Sequence, residues 1–544
     1  MKSFLIGLVL YIFPMEILGQ NKVPPIQQWM VHEITLTAEK TYGNPYTEID
    51  VWALFTNEKG DSLKRPAFWD GGNTWKIRFV PIDTDGQWQW VTYSSNEKDT
   101  GLHKKTGHFN SIPNVGSNRL LKNGLLKMSA KARNVVHHSG KSFLMVADTP
   151  WALPFRATKE QVAIYAKDRQ EKGFNTALMM TVQPDMKAEG PNDRNTEQGF
   201  KRAFKDLSSG HLNQMNVDYF QYYDALVLLL LDHEIVPVFQ PIFHGYGWKG
   251  LEALGRTIEP KEYVRYCKYL LARYGAQPAF WLLGGDHNGK DPGILESGMM
   301  LQEWDAYAQP TGIHYNPCDD YLASWANGER EHCFHENKTY QDEEWLDFQW
   351  AQTGHDSEHL YHKVARMYEN LPTKAVANGE PTYEGMNNGK NGLGWWQGEE
   401  AWMQLMNGGT MGVVYGAATL WQWKISTTEE GWPSWTDQQT SWYEAMHMKG
   451  SKYVGLIGKI LGGLNIADIE KHWDLANGKP LLAIKGKLYI SFLNEGGEIT
   501  IRNLPDNLNY CWIDPKTGIP QQIGKVTVDT FKAPNKNPWV LLLN

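Results

Sequence analysis

The sequence predicts an α/β fold in which a (β/α)8 (TIM) barrel is flanked by an N-terminal and a C-terminal β-sandwich domain. Three observations carry this reading. Both ends of the chain alternate apolar and polar residues with period two, whereas the middle alternates buried apolar strands with amphipathic helical stretches. The central strands number eight, and nearly all stay apolar until their last residues, then end in Asp, Gln, His, Asn or Glu.

The 544 residues, 42% of them hydrophobic, suffice for two to four domains. Met1-Lys2, an apolar run from Phe4 to Pro14 and small or polar residues at Gly19-Gln20 read as a secretory signal over 1–20, so the mature chain is expected to be exported, periplasmic or secreted. Glu16 interrupts that pattern, and a buried N-terminal helix is the alternative. The segment is too short for a stable anchor and no other stretch approaches a membrane span. The first cysteine is Cys267, which leaves no N-terminal cysteine for lipid attachment, and the four cysteines (267, 318, 333, 511) are too few for a disulfide framework. Cys318 and Cys333 could pair or remain free thiols.

The N-terminal sandwich is placed at 21–113. Its strands are HEITLTAE, TEIDVWALFT, WKIRFVP and GQWQWVTYS, separated by turn clusters at Asp70-Gly71-Gly72-Asn73 and Asp83-Thr84-Asp85-Gly86. The barrel follows at 114–462. Its strand candidates are SFLMVADTPW, FNTALMMTVQP, IVPVFQPIFHG, AFWLLGGDHNG, GIHYNPC, WLDFQWAQTGH, KAVANGEPT and GVVYGAATLWQW. Helices are expected at Lys159–Lys172 behind a Thr158 cap, Val217–Asp232, Pro260–Tyr274, Glu358–Asn370 and Glu399–Met406, with the fifth connection the weakest. A doubly wound sheet is the competing topology, but no glycine-rich phosphate turn follows the first strand. The C-terminal sandwich, 463–544, contains PLLAIKGKLYISFLN, EITIRNL, NYCWIDPKTG, GKVTVDTF and PWVLLLN.

Active sites of such barrels lie where the strand C-termini converge on one open face. Asp286 ends the fourth strand and Glu380 the seventh, facing each other across that mouth. One carboxyl to protonate a leaving oxygen and another to attack or to activate water is the requirement of glycoside hydrolysis; a gap of roughly 5–5.5 Å gives retention and about 6.5–9.5 Å inversion. This fourth-and-seventh arrangement resembles that of a large group of retaining barrel glycosidases, and the resemblance implies retention, with Asp286 as acid/base and Glu380 as nucleophile. A lone strand-end acid also serves as a helix cap or ion-pair partner, but Gly284-Gly285 and Gly379 beside these two permit close approach of backbone or ligand. Glu384 competes for the nucleophile role and, lying past the strand end, fits better in a loop role among the sugar-binding residues.

The remaining strand ends supply candidate sugar contacts: Asp148 and Trp151, Gln183, Gln240 and His244, His287 and Asn288, His314 and Asn316, then Gln352 and His355, with Trp421 and Trp423 after the eighth strand. Each is as often a structural residue as a ligand contact. Asp347, inside an aromatic run, reads as structural. A net charge of −8 with no basic stripe argues against nucleic acid, and 24 Trp with 25 Tyr favour a carbohydrate partner, although large aromatic cores account for many of them. His332 and His335 in HCFHE lack further ligands in register, so no metal or other cofactor is expected. There is no esterase elbow and no dinucleotide loop.

KSFLMVADTPWALPFR, KGFNTALMM, WLLGGDHNG, DFQWAQTGH, NGEPTYEG and YGAATLWQW together resemble the apiosidase-like barrels of glycoside hydrolase family 140, over about Asn118 to Gly462. The N-terminal sandwich is similar to the small β-domain found ahead of such barrels, and the WIDPKTG tail resembles the sandwich, labelled collagen-binding, that follows them. The resemblance implies an Asp after the fourth strand and a Glu after the seventh as the catalytic pair, here Asp286 and Glu380. It also implies an apparently retaining removal of apiose-linked side chains from the pectin rhamnogalacturonan II. The chain departs from that pattern in its extra N-terminal sandwich and in the loop MKAEGPNDRNTEQGFKRAFKD after the second strand. Such loops build subsites, so mechanism carries over better than substrate. A carbohydrate-binding scaffold without turnover is the alternative, disfavoured because both carboxylates are present; a polysaccharide lyase has no better base to recommend it.

Overall fold

Period-2 alternation builds the N-terminal domain as two packed sheets. In the computed structural model, which describes residues 25–184, 202–245, 253–285, 289–314, 338–353, 361–386, 392–429 and 440–544, a five-stranded sheet runs in the order Ile26–Gln27, Thr106–Ile112, Gln87–Ser94, Val51–Asn57, Ser62–Pro66. Its inward residues meet those of a three-stranded sheet of His32–Thr37, Thr74–Phe79 and Phe68–Trp69. Phe55 from one sheet stacks on Phe79 from the other at 4.0 Å, with Ile34, Leu36, Ile77, Trp88 and Phe109 around them. The expected 70–73 turn holds Gly71 at φ 101° and Gly72 at φ 53°, left-handed values that a side chain would resist. The leader, Cys318, Cys333 and the HCFHE segment lie outside the described residues.

The central domain is a closed parallel barrel. Its strands are β1 (Met145–Asp148), β2 (Thr176–Met180), β3 (Val236–Gln240), β4 (Phe280–Leu282), β5 (Thr311–His314), β6 (Phe348–Gln352), β7 (Ala375–Glu380) and β8 (Gly412–Tyr415). They pair in sequence order, and β8 closes the ring on β1 in the register Met145↔Gly412 to Asp148↔Tyr415. Outside lie α1 (Lys159–Lys172), α2 (Val217–Asp232), α3 (Pro260–Tyr274), α4 (Ile294–Trp304), α5 (His362–Tyr368), α6 (Trp395–Met406) and α7 (Lys449–Leu461). The first three span the residues that periodicity and capping indicate, α1 with a full capping box between Thr158 and Gln161. Among the described residues no helix separates β5 from β6. Helices α4 and α7 were not among the clear sequence signals. In α7 the reason is its glycines: a Cβ on Gly455 would stand 2.4 Å from the Lys172 carbonyl, and one on Gly458 2.3 Å from that of Gly173. Close packing on α1 demands residues that intrinsic propensity penalises.

The C-terminal domain pairs a six-stranded sheet with a two-stranded one. Its central strands, Leu488–Leu493 and Trp539–Leu543, are apolar on both faces rather than alternating. Tyr489, Leu493, Trp539, Leu541 and Leu543 fill the domain's own core. Their alternates Leu488, Ile490, Phe492, Val540 and Leu542 join the barrel core, where Phe492 stacks on Trp402 of α6 at 5.6 Å.

The N-terminal domain docks through apolar side chains, with Tyr46 and Phe68 joining the barrel core, and through a charge network. Arg78 Nη2 lies 2.7 Å from Asp224 Oδ2 on α2, Arg273 Nε on α3 lies 2.8 Å from Asp224 Oδ1, and Arg273 Nη1 reaches back 2.9 Å to Asp70. Burial alone would push the Asp224 carboxyl up; Arg273 and Arg78 outweigh it and hold the carboxyl below its usual range. Asp224→Asn leaves two guanidinium groups without their shared anion, and should cost roughly 3–5 kcal/mol. Because the folded-state pKa is depressed, this stabilisation is present above the ordinary carboxylate pKa near 4 and is lost as pH falls through the lower folded value. Thermal unfolding of the variant and parent from pH 3 to 7 checks this; equal melting temperatures at pH 7 would show that the network does not hold the domains together.

Candidate active site

Backbone pairing continues past β4 and fixes the chain that leads to Asp286. Leu283 N donates to Gly312 O at 2.9 Å, His314 N to Gly284 O at 2.9 Å, and His244 N to Gly285 O at 3.3 Å. Asp286, His287 and Asn288 themselves lie outside the described residues, as do Asn316 and His355. Neighbouring side chains close on the two glycines. A Cβ on Gly284 would stand 2.8 Å from Ile294, and one on Gly285 would overlap the Gln240 amide at 1.7 Å. Gly379 is constrained likewise, by the ring of Trp350 at 2.7 Å.

Glu380 is the last residue of β7, and its side chain is 13% exposed. His314 Nε2, at the end of β5, stands 3.5 Å from Glu380 Oε2. Tyr383 stands near this carboxylate, and its phenol is pushed far up by burial and then by the Glu380 charge. Tyr383 in turn accepts a 2.7 Å hydrogen bond from the indole N–H of Trp151, whose ring lies parallel to that of His314 at 6.1 Å. The Tyr383 ring occupies space left by Gly416, where a Cβ would come within 2.1 Å of it. Beneath Glu380, the Asn378 amide donates to the carbonyls of Ala351 at 3.1 Å and Glu380 at 3.2 Å, and accepts from Thr353. Residues of β5 and β7 and of the segments that follow β1 and β7 therefore gather around Glu380.

Strand-end amides ring the same mouth. Gln240 is fully buried, and neither of its amide atoms has a partner among the described residues; the same holds for Gln183 Nε2 and Gln352 Oε1. Each such group costs about 1–3 kcal/mol unless hydrogen-bonded, and sugar hydroxyls have matching donor and acceptor chemistry. His244 is buried edge-on to Tyr263. Trp421 is 7% exposed, its carbonyl accepting from Ala152 N at 3.0 Å. Trp423 lies deeper, stacked on Trp442 at 4.7 Å.

Two expected sugar contacts have other duties. Asp148 is fully buried; it accepts from Tyr165 at 2.9 Å and Thr149 N at 2.9 Å and pairs with Arg169 of α1. Burial of a carboxylate at this strand end demands a cation, and Arg169 supplies it. Glu384 is spent on three donors: Gly394 N at 2.7 Å, Gly450 N at 2.8 Å and the Tyr415 hydroxyl at 2.6 Å. It ties the starts of α6 and α7 to β8, a role in keeping with its position beyond the strand end. Asp347 accepts from Thr311 N at 3.0 Å, and burial pushes its carboxyl up to about 7, in line with a structural role. Tyr383 and Arg169 are the residues that sequence reasoning missed. Tyr383 was within reach, three positions after Glu380 in NGEPTYEG, but a phenol on a loop gives no directional signal. Among the described residues no cluster of three His, Cys, Asp or Glu side chains could hold a metal ion.

Glu384→Gln places an amide NH2 against N–H donors and should lower stability by roughly 1–3 kcal/mol. Calorimetric unfolding of the variant tests this; an unchanged melting temperature would mean that the carboxylate does not anchor α6 and α7.

The family described as "Apiosidase-like, catalytic domain" matches residues 129–468, and a "Domain of unknown function (DUF5060)" matches residues 25–95. No protein of curated function matches the chain. Among solved structures, a protein from Bacteroides vulgatus ATCC 8482 assigned as a glycoside hydrolase superposes with a TM-score of 0.67 at 17% identity, covering 96% of this chain and 100% of that one. A glycoside hydrolase family 5 protein from the same organism gives 0.60 at 18% identity over 78% and 94% of the two chains. These likenesses speak for the fold, while the family match spans more than half of the chain. The chain belongs to the apiosidase-like catalytic domain family and is a glycoside hydrolase built on a (β/α)8 barrel.

Proposed function

We propose that this glycoside hydrolase acts with retention on a plant or algal cell-wall polysaccharide, with apiose-linked side chains of pectin as the favoured substrate. Asp286 serves as acid/base and Glu380 as nucleophile. The observation that carries the reading is the setting of Glu380: a carboxylate at the open end of β7, with His314 Nε2 3.5 Å away and Tyr383 beside it. Asp148 and Asp224, which serve the fold, are each paired with arginine.

In the first half-reaction Asp286 protonates the departing glycosidic oxygen while a Glu380 oxygen bonds to the anomeric carbon. In the second, Asp286 takes a proton from water, the water oxygen attacks the same carbon, and Glu380 is released as carboxylate. Two inversions give net retention. Buried amides such as Gln240 suit the hydroxyls of the sugar held between them. The apolar run at Phe4–Pro14 supports export, so that enzyme and polysaccharide meet outside the cytoplasm.

Asp286→Asn and Glu380→Gln should each reduce hydrolysis of rhamnogalacturonan II side chains by orders of magnitude and leave thermal unfolding unchanged. Near-parental turnover in either variant would sink the assignment. An activated leaving group should rescue Asp286→Ala more than Glu380→Ala; equal rescue would reverse or abolish the assigned roles. Nuclear magnetic resonance of the first-formed product should give the anomer of the substrate, and the opposite anomer would replace retention with inversion.

A further inference from the structure

We propose that the outer face of the five-stranded sheet in the N-terminal domain is a second glycan-binding site, an anchor for the polysaccharide on which the barrel acts. The inference goes beyond the roles of Asp286 and Glu380 and rests only on the chain being a glycoside hydrolase. A cavity of about 490 Å³ opens on this face, a size that suits a ligand cleft. Strand register sets out its lining in rows. Thr56, Gln89 and His108 stand opposite one another on the strands Val51–Asn57, Gln87–Ser94 and Thr106–Ile112, and Leu54, Val91 and Thr106 form the next row. All six alternate with Phe55, Trp88 and Phe109, which fill the domain core, and so point the other way.

Outward positions of a strand that faces water are ordinarily polar. Here Leu54 and Val91, half-buried, make an apolar floor. Around it stand the hydroxyls of Thr56 and Thr106, the His108 imidazole and the amides of Gln87 and Gln89. None of these polar side chains has a hydrogen-bond partner among the described residues. No Asp, Glu, Lys or Arg lines the cavity; Lys64, opposite Leu54 on the neighbouring strand, is turned to Glu303 and to the ring of Trp304. Amides and hydroxyls donate and accept alike, as sugar hydroxyls do, and the aliphatic floor suits the C–H face of a sugar ring. A nucleic acid would require cations for its phosphates. The lining therefore fits an uncharged, hydroxyl-rich chain.

The face continues into an aromatic row. Trp52 and Tyr93, paired in register, stack at 5.8 Å with 15° between their planes, and Trp52 meets Trp304 of α4 edge-on at 6.2 Å. Successive rows lie about 7 Å apart along the strands, so the strip has room for more than one sugar unit. Trp304 is the last residue of α4, on the side where β5 begins rather than where β4 ends. The strip thus approaches the barrel at the face opposite the catalytic mouth, and a polymer held there leaves the mouth open. Two sites on one chain raise the local concentration of polysaccharide at the mouth.

The test uses the full-length Glu380→Gln chain, which keeps the glycan intact, and the same chain with Gln89→Ala and His108→Ala added. Biolayer interferometry reads binding to rhamnogalacturonan II, pectic galactan and laminarin, each immobilised through its reducing end. At least one polysaccharide should bind the first protein, and the added pair should weaken that binding roughly tenfold, the size expected for two lost hydrogen bonds. Thermal unfolding should be the same in both, because the altered side chains are exposed. In hydrogen exchange the bound polysaccharide should protect peptides that cover residues 52–56 and 104–110. Equal affinity of the two proteins overturns the proposal, as does failure of all three polysaccharides to bind, or protection confined to the barrel mouth. A dimer seen by light scattering and lost in the added variant assigns the face to a second copy of the chain and overturns it too. If the added pair prevents folding, Thr56→Ala decides by the same affinity comparison. Turnover by Glu380→Gln would sink the catalytic reading and leave this comparison in force, since both proteins carry that substitution.

Discussion

Closure of the parallel ladder between β8 and β1 is the constraint on which the rest of the molecule depends. Eight parallel strands paired edge to edge leave all C-terminal ends on one face. Residues separated by more than 200 positions, such as Trp151 and Tyr383, then meet within hydrogen-bonding distance. The pairing extends past the regular strands at Leu283, Gly284 and Gly285, so the approach to Asp286 is part of the barrel rather than of a free loop. Side chains from adjacent strands fill the space that glycine leaves, and this close filling makes the mouth a rigid frame.

Charge inside this frame is handled in two ways. Where a carboxylate serves the fold, an arginine or several N–H donors meet it: Arg169 for Asp148, Arg273 and Arg78 for Asp224, backbone amides and Tyr415 for Glu384. Where burial outweighs the surrounding charges and donors, it pushes the carboxyl up, to about 7 at Asp347 despite Lys374 and to about 8 at Glu400. Glu380 stands at the mouth with the His314 imidazole 3.5 Å away and the Tyr383 phenol beside it.

Much of the architecture was legible in the residues, because the signals are local. Apolar runs marked all eight strands, and capping at Thr158 set the start of α1. What escaped depends on tertiary contact. Helix α7 was hidden by glycines that pack on α1, and the two-sided burial of Leu488–Leu493 reflects a barrel surface far away in sequence. Within the site, strand-end position drew attention to Glu380 and His314, which lie together. The same criterion drew Asp148 and Glu384 into the sugar-binding set, since position along a strand does not reveal which way a side chain is paired. Arg169, buried on α1, and Tyr415, at the end of β8, are the partners that decide those roles.

The central claim is that Glu380 forms a covalent bond to the sugar. Its most direct test is mass spectrometry of peptic fragments from enzyme quenched in acid during turnover of rhamnogalacturonan II oligosaccharides. The account predicts a fragment carrying Glu380 and heavier by one glycosyl residue, absent from the Glu380→Gln enzyme. A glycosyl adduct on a different residue, or inverted product with no adduct at any time, would contradict it.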